Sequence, residues 1–287
     1  MGDLRYTVTF YGVRGSTPCG GPHTTGFGGN TSCVAVESAS SDPIVFDLGT
    51  GLRYFGASQP MDGTFRGSAL VSHLHWDHIQ GLPFFAPVLR DGARLDLYGP
   101  PPSGGMTLEQ AFERFMCDPF FPVGIADLPG HISFNELDDE TRDIGGFTVM
   151  TRAVPHIGRT NGYRLSRGGA AMAYIPDHQQ PIGVEEFSTV PGVLELCDGV
   201  DLLVHDAQFT PAEFAHKAHW GHCTIEYACW LAREAGVRRL ALFHHDPSHN
   251  DEQLGALVRD AQDWGERHGI EVIGASEGSM ISLGSPG

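Results

Sequence analysis

An apolar run, Gly67-Ser68-Ala69-Leu70-Val71, passes without a break into Ser72-His73-Leu74-His75-Trp76-Asp77-His78. The run reads as a buried strand. Such a strand cannot end in three imidazoles and a carboxylate unless something binds them, because unpaired buried polar groups cost free energy. Side chains alternate along a strand, so His73 and His75 point the same way. Two imidazoles on one face suit a single divalent ion. Asp77 and His78 lie just beyond, where a turn aims them at a second, adjacent ion. The mixture of imidazole and carboxylate fits zinc first, with manganese or iron as alternatives.

Two ions need more donors than this turn supplies, and the chain offers three at the ends of other apolar segments. His156 follows Phe147 to Pro155, Asp177 follows Ala170 to Pro176, and His244 follows Arg239 to Phe243. Each opens a turn after a strand, as the first cluster does. His245, next to His244, leaves the last choice open between two neighbours.

The remaining pattern is that of a β-rich chain with helices. Strands are expected over Tyr6 to Val13, Ser32 to Glu37, Pro43 to Asp47, His131 to Leu137, Phe147 to Val154, Gly162 to Ser166 and Ala170 to Ile175. The last third alternates strand and helix: Asp201 to His205, then a helix from Thr224 to Ala235 capped by Thr224, then Arg239 to Phe243, a helix from Asp251 to His268, Glu271 to Gly274 and Ser279 to Leu283. A further helix is expected from Thr107 to Met116, after the Pro/Gly stretch Gly99 to Gly105. Thr24 to Asn30 is glycine-rich, but no helix clearly follows it, so it reads as a strand connection and not as a phosphate cradle. Sheets packed face to face with helices outside, in one domain spanning 1–287, account for this order.

Composition narrows the partners. A net charge of −17 argues against a protein that tracks a long polyanion. A small anionic substrate remains compatible, because a local metal charge outweighs a distant acidic surface. Six cysteines without a C-x-x-C pair read as free thiols in a reducing compartment. Met1-Gly2-Asp3-Leu4-Arg5 shows no basic-then-apolar signal region, Tyr6 stands where a myristoylation site wants Ser or Thr, and no apolar run approaches a membrane span. The expected location is the cytoplasm, with no membrane partner.

His73-x-His75-x-Asp77-His78, followed in order by His156, Asp177 and His244, resembles the metallo-β-lactamase-fold hydrolases. The resemblance extends to Gly12-Val13-Arg14-Gly15-Ser16-Thr17-Pro18, Gly28-Gly29-Asn30-Thr31-Ser32-Cys33 and Phe46-Asp47-Leu48-Gly49-Thr50-Gly51. Within the family these segments are similar to the branch of ribonuclease Z and related cyclic-nucleotide phosphodiesterases. The resemblance implies a four-layer αββα sandwich of two mixed β-sheets and two zinc ions per chain. It assigns His73, His75 and His156 to one ion, and Asp77, His78 and His244 to the other, with Asp177 bridging. His244 is preferred to His245 because the branch's ligand lies three residues before a proline, here Pro247. The branch is often dimeric, which leaves a homodimer open.

Trp220-Gly221-His222-Cys223-Thr224 resembles the Gly-His-Ser-Thr segment of the phosphodiesterase branch. By that likeness His222 donates the proton to the leaving alkoxide while a hydroxide bridging the ions attacks phosphorus, and Asp206 stands where an acidic residue orients this histidine. The catalytic candidates are therefore His222, Asp77 and Asp206. Arg14 and Asn30 are weaker candidates for substrate contact; His23, His131, His178, His205, His216, His219, His249 and His268 read as solvated or structural, although His216 and His219 lie close enough to His222 to line a pocket mouth.

The chain departs from ribonuclease Z where that enzyme carries its tRNA-gripping arm, between the third histidine ligand and the bridging aspartate. Here the interval from His156 to Asp177 is 21 residues (177 − 156), filled by strands. A small phosphodiester such as a cyclic nucleotide is the expected substrate. The alternatives are a carbon-ester, lactone or thioester hydrolase, a ribonuclease Z-type endonuclease, and a protein that binds without turnover. A flavodiiron-type oxidoreductase is set aside, since it wants Glu where His75 stands.

Overall fold

The structure is a computed structural model describing residues 4–284. The N-terminal reading at Met1, Gly2 and Asp3 lies outside the described residues. The first half builds β1 (Tyr6–Gly12), β2 (Cys33–Ser38), β3 (Ser41–Phe46), β4 (Arg66–Leu70), β5 (Arg94–Gly99) and β6 (His131–Glu136), with α1 (Leu52–Ala57), α2 (Trp76–Ile79) and α3 (Leu108–Phe115) between them. The second half builds β7 (Thr141–Ile144), β8 (Phe147–Ala153), β9 (Asn161–Arg167), β10 (Ala170–Ile175), β11 (Leu202–Asp206), β12 (Arg239–Phe243) and β13 (Glu271–Gly274), with α4 (Pro191–Cys197), α5 (Pro211–Lys217), α6 (Ile225–Glu234) and α7 (Asp251–His268). The closing strand β14 (Met280–Leu283) returns to the first sheet beside β1.

Two seven-stranded sheets result, ordered β14-β1-β2-β3-β4-β5-β6 and β13-β12-β11-β10-β9-β8-β7. Both are mixed: β3 through β6 run parallel in one and β10 through β13 in the other. Strand β10 shows why the layers form. Its Ala170, Met172 and Tyr174 enter the core between the sheets, while Ala171, Ala173 and Ile175 face the helices. A strand buried on both faces must be apolar throughout, which is how Ala170 to Ile175 reads in the sequence. The inter-sheet core joins Val34, Val36 and Phe46 to Tyr163, Met172 and Phe243. A second core packs α4, α6 and α7 on one outer face, and a third packs α1 and α3 on the other. This is the αββα sandwich that the resemblance implied.

Most expected elements fall within a residue or two of their observed bounds. Thr107 and Thr224 cap their helices, accepting from the backbone N–H of Gln110 and Tyr227. Six elements were not anticipated: β5, β7, α1, α2 (expected as a turn), α4 and α5. All are four to seven residues long, too short for a helical period to declare itself. The glycine-rich loop after β1 is a strand connection, as expected. Its Gly26 and Phe27 amides donate to Asp251, so they are not free to hold a phosphate.

What matters for the site is polarity. The C-terminal ends of parallel strands β3 and β4 meet those of β10, β11 and β12 at one edge of the sandwich, the position where open α/β sheets offer ligand crevices. No helix among the described residues is long and apolar enough to cross a membrane.

Candidate dinuclear metal centre

Every candidate ligand lies just beyond the end of one of these strands or of β8, and the fold brings them together in two sets. Nε2 of His73 is 2.8 Å from Nδ1 of His75, which is 3.3 Å from Nε2 of His156. Oδ2 of Asp177 completes this set, 3.7 Å from the His73 nitrogen and 3.5 Å from that of His156. In the second set, Oδ2 of Asp77 is 3.2 Å from Nε2 of His78 and 3.2 Å from Nε2 of His244. Oδ1 of Asp177 stands 3.1 Å and 3.3 Å from the same two nitrogens. Tetrahedral zinc, with bonds of about 2.0–2.1 Å, needs donor atoms about 3.3 Å apart.

Two further observations fit a cation in each set. Nε2 of His78 and Oδ1 of Asp177 face each other fully buried, yet neither has a hydrogen-bond partner. The protonation tendencies of His73, His75, His156 and Asp177 agree, and that of His78, drawn upward by three carboxylates, runs the other way. Burial pushes His73, His75 and His156 below the ordinary imidazole range, which keeps them neutral donors. Burial opposes the charge of Asp177, but His244, His78 and His73 outweigh it and hold the carboxyl well below its usual range. His78 is also pulled down by burial, but Asp77, Asp177 and Asp47 overcome this and raise it. Neutral imidazoles and ionised carboxylates are the state a divalent cation requires.

Of the two neighbours, His244 and not His245 joins the cluster. Nε2 of His245 donates to the Ala275 carbonyl at 2.9 Å, so that ring points away from the cluster that His244 enters. His244 adopts φ +56°, as Ser16 and Asp47 adopt φ +56° and +55°. These are the positive-φ residues other than glycine among the described residues, and all three adjoin the ligands. The Ser16 amide donates to Asp77 at 2.8 Å. Strain of this kind persists where surrounding structure over-determines it.

Behind the ligands stand residues that the sequence reading did not single out for a role. Asp47 Oδ2 accepts from His78 Nδ1 at 2.7 Å, from Tyr174 at 2.8 Å and from the Ser72 hydroxyl at 2.9 Å, while Oδ1 accepts from the Ser72 amide at 2.7 Å. Gln208 Oε1 lies 2.8 Å from His244 Nδ1. The Gly221 carbonyl accepts from His156 Nδ1 at 2.7 Å. Each fixes a ligand ring by its far nitrogen. Asp47 carried the same signal as the ligands, a carboxylate directly after an apolar strand; nothing in the sequence around Gln208 marks it.

His222 lies beside the two sets, its ring stacked at 4.9 Å on His244. Its Nδ1 donates to Asp206 Oδ2 at 2.9 Å, and that carboxylate also accepts from the amides of His178 and Gln208, both at 3.0 Å. Burial lowers the His222 imidazole, but Asp206, with Asp177 and Asp77 nearby, outweighs burial and the net shift is upward. With Nδ1 committed to Asp206, Nε2 is the ring atom left for a substrate. His222 lines an open cleft of about 630 Å³ together with Asp77, Asp177, His75, His219 and Trp220.

The weaker candidates fare differently. Arg14 is fully buried, its guanidinium spent on the carbonyls of Gly28, Asp246 and His249, and Asn30 donates to Glu277. Neither lines the cleft, because each is committed to holding loops. His219 lines it and His216 does not. His178 and His205 form a buried pair 2.9 Å apart, and His249 meets Glu213 at 2.7 Å, so these three are structural.

Comparison with known proteins agrees with this fold. Residues 45–245 match the family described as a beta-lactamase superfamily domain. The ribonuclease Z of Myxococcus xanthus is 27% identical over 284 residues, covering 82% of this chain and 87% of the relative. The metallo-beta-lactamase fold protein YhfI of Bacillus subtilis superposes with TM-score 0.73 at 20% identity, covering 97% of this chain and 99% of that one. A diphosphatase from the PhnP family superposes with TM-score 0.69 at 18% identity, with 97% of each chain covered. The chain belongs to the beta-lactamase superfamily, as a hydrolase on the metallo-β-lactamase fold.

Proposed function

We propose that the protein is a phosphodiesterase that uses two divalent ions, zinc by donor chemistry, to hydrolyse a small phosphodiester such as a cyclic nucleotide. The observation that carries this reading is one residue, Asp177, giving Oδ2 to one donor set and Oδ1 to the other, with the His222–Asp206 pair beside them. His73, His75 and His156 would hold one ion, Asp77, His78 and His244 the other. Such a pair supplies a water acidified to near neutral pH and a Lewis-acid grip on the phosphoryl oxygen. The chain does the rest. Asp206 keeps the His222 ring fixed and favours its protonated form, and Nε2 delivers that proton to the departing alkoxide. In-line departure needs such an acid because an alkoxide is a poor leaving group. We place this activity in a single domain spanning 1–287, in a reducing cytoplasm suited to six free cysteines, with assembly as a homodimer open.

The name of the relatives favours a second reading, an RNA endonuclease of the ribonuclease Z type. Against it stand the net charge of −17, a cleft lined by no Arg or Lys, and a β9–β10 hairpin filling the interval where an RNA-gripping arm would emerge.

A hydrolysis screen of the zinc- and manganese-loaded protein separates the readings. Cyclic mononucleotides and bis(p-nitrophenyl) phosphate should be cleaved, and structured RNA and lactones should not. Endonucleolytic cleavage of a tRNA precursor faster than any cyclic nucleotide would establish the second reading. Turnover of lactones alone would move the protein to the carbon-ester hydrolases.

A further inference from the structure

The cleft beside His222 offers more aromatic surface than a phosphate uses. Trp76 and Trp220 both line it, together with Leu74 and Ile157. Trp76 is 75% exposed and Trp220 58%. Large apolar side chains left in water around a cleft mark a binding surface.

Neither indole is exposed by accident of a loose loop. Trp76 opens α2, and the next three residues, Asp77, His78 and Ile79, are all buried, so the helix that delivers two ligands also turns Trp76 outward. Trp220 is propped from behind. The Lys217 ammonium stands 5.5 Å from its ring centroid and 4.9 Å from that of Phe209, and is tied to Asp246 at 2.8 Å. Lys217 is the one lysine of the chain. Phe209 in turn meets the His222 ring edge-on at 5.7 Å. Trp220 is therefore held in register with the histidine that faces the leaving group.

A second cleft, of about 220 Å³, shares Leu74, His75 and Ile157 with the first and is lined further by Pro100, Pro101, Met106 and Arg159. It contains neither tryptophan nor His222. The two clefts differ in what they can recognise, and proton delivery belongs to the aromatic one.

We propose that Trp76 and Trp220 form the leaving-group subsite and take a planar aromatic ring, a nucleobase on the departing alcohol. This rests on the phosphodiesterase reading and narrows it. Water oxygen bonds to phosphorus as the ester bond to the nucleoside oxygen breaks; that oxygen takes the proton of His222 Nε2, and the attacking water's own proton restores the histidine. A cyclic nucleotide satisfies the arrangement, since its base sits on the same ribose as the departing oxygen. The lining of this cleft contains no Arg or Lys to neutralise a second phosphate, and Arg159 of the adjoining cleft is paired with Asp138 and Asp139, which favours a nucleoside over a nucleotide as the leaving alcohol.

The test uses full-length zinc-loaded protein, Trp76→Ala, Trp220→Ala and the ring-retaining Trp220→Phe. Rates are compared on bis(p-nitrophenyl) phosphate, which has an aromatic leaving group, and bis(2,2,2-trifluoroethyl) phosphate, which has none. Stacking on one indole is worth at least about fivefold. Each alanine variant should lower the aromatic-to-trifluoroethyl ratio of kcat/KM by that factor, chiefly through KM, and Trp220→Phe should restore most of it. Adenosine should quench tryptophan fluorescence of the wild type and lose this effect in Trp220→Ala. An unchanged ratio with unchanged quenching overturns the subsite. A wild type that cleaves neither diester overturns the phosphodiesterase reading instead, and the adenosine titration then decides the subsite alone.

Discussion

Asp47 Oδ2 lies 2.7 Å from Nδ1 of His78, inside a carboxylate that also accepts from Ser72 and Tyr174. One buried group at the end of β3 thereby fixes a ligand at the start of α2 and ties the first sheet to β10 of the second. Asp47→Asn replaces an ionised acceptor with a neutral amide. Loss of such a partner typically weakens metal affinity about 10–100-fold. Competition against a chromophoric chelator should show that loss at one of two sites, with the other unchanged.

His222→Ala should leave metal content at the wild-type level, because Nδ1 of His222, though grouped with Asp177 and His244, is held by Asp206 at 2.9 Å and stands 3.8 Å from Asp177. Its kcat should fall by about 10²–10⁴ for alkyl leaving groups, the usual contribution of general acid catalysis. The fall should be far smaller for p-nitrophenolate, which departs without a proton. Equal losses on both substrates would remove His222 from proton delivery.

The pH dependence follows from the upward shift of His222. Burial works against its charge and Asp206 more than reverses this. The protonated, donating form therefore persists to higher pH than in a free imidazole, and activity is lost as pH rises through the folded-state value. Asp206→Asn removes the opposing charge and leaves burial. Its alkaline limb should move to lower pH, read from kcat against pH on an alkyl diester. A limb that stays in place contradicts the role of Asp206.

A Cβ built at Gly15 would sit 2.5 Å from Nδ1 of His244 and 2.7 Å from Oε1 of Gln208. Gly15→Ala should therefore push both side chains out of register and empty the site formed by Asp77, His78 and His244. Gly20→Ala meets nothing within 4 Å and serves as the control. Metal content near one ion per chain for the first variant and two for the second is expected by mass spectrometry.

Chelation should also destabilise the fold. A ligand present at about 1,000 times its Kd stabilises the folded state by about 4 kcal/mol. For a chain of this size that corresponds to a Tm shift on the order of 10 °C. Thermal melts with and without EDTA should show it, and re-addition of zinc should reverse it.

Much of this candidate site was legible because the residues that the fold brings together announce themselves twice, by residue type and by position. His73, His75, Asp77 and His78 crowd one turn, and His156, Asp177 and His244 each terminate an apolar segment. The sandwich was legible through β10, whose uninterrupted apolar run reports burial on both faces. What escaped was either short or contextual. β5 alternates Leu95 and Leu97 inward with Arg94 and Asp96 outward, a faint strand signal over six residues. Gln208 is an ordinary polar residue until the fold sets its amide against His244. Arg14 suggested a substrate contact because charge usually seeks solvent or ligand, yet here three backbone carbonyls hold it in full burial.

The most direct test is a titration of chelator-stripped protein with zinc, following hydrolysis of bis(p-nitrophenyl) phosphate. Activity should be absent at the start and rise to a plateau at two equivalents per chain, as expected if Asp177 joins two donor sets. Full activity before any zinc is added, or a plateau at one equivalent, would contradict the account.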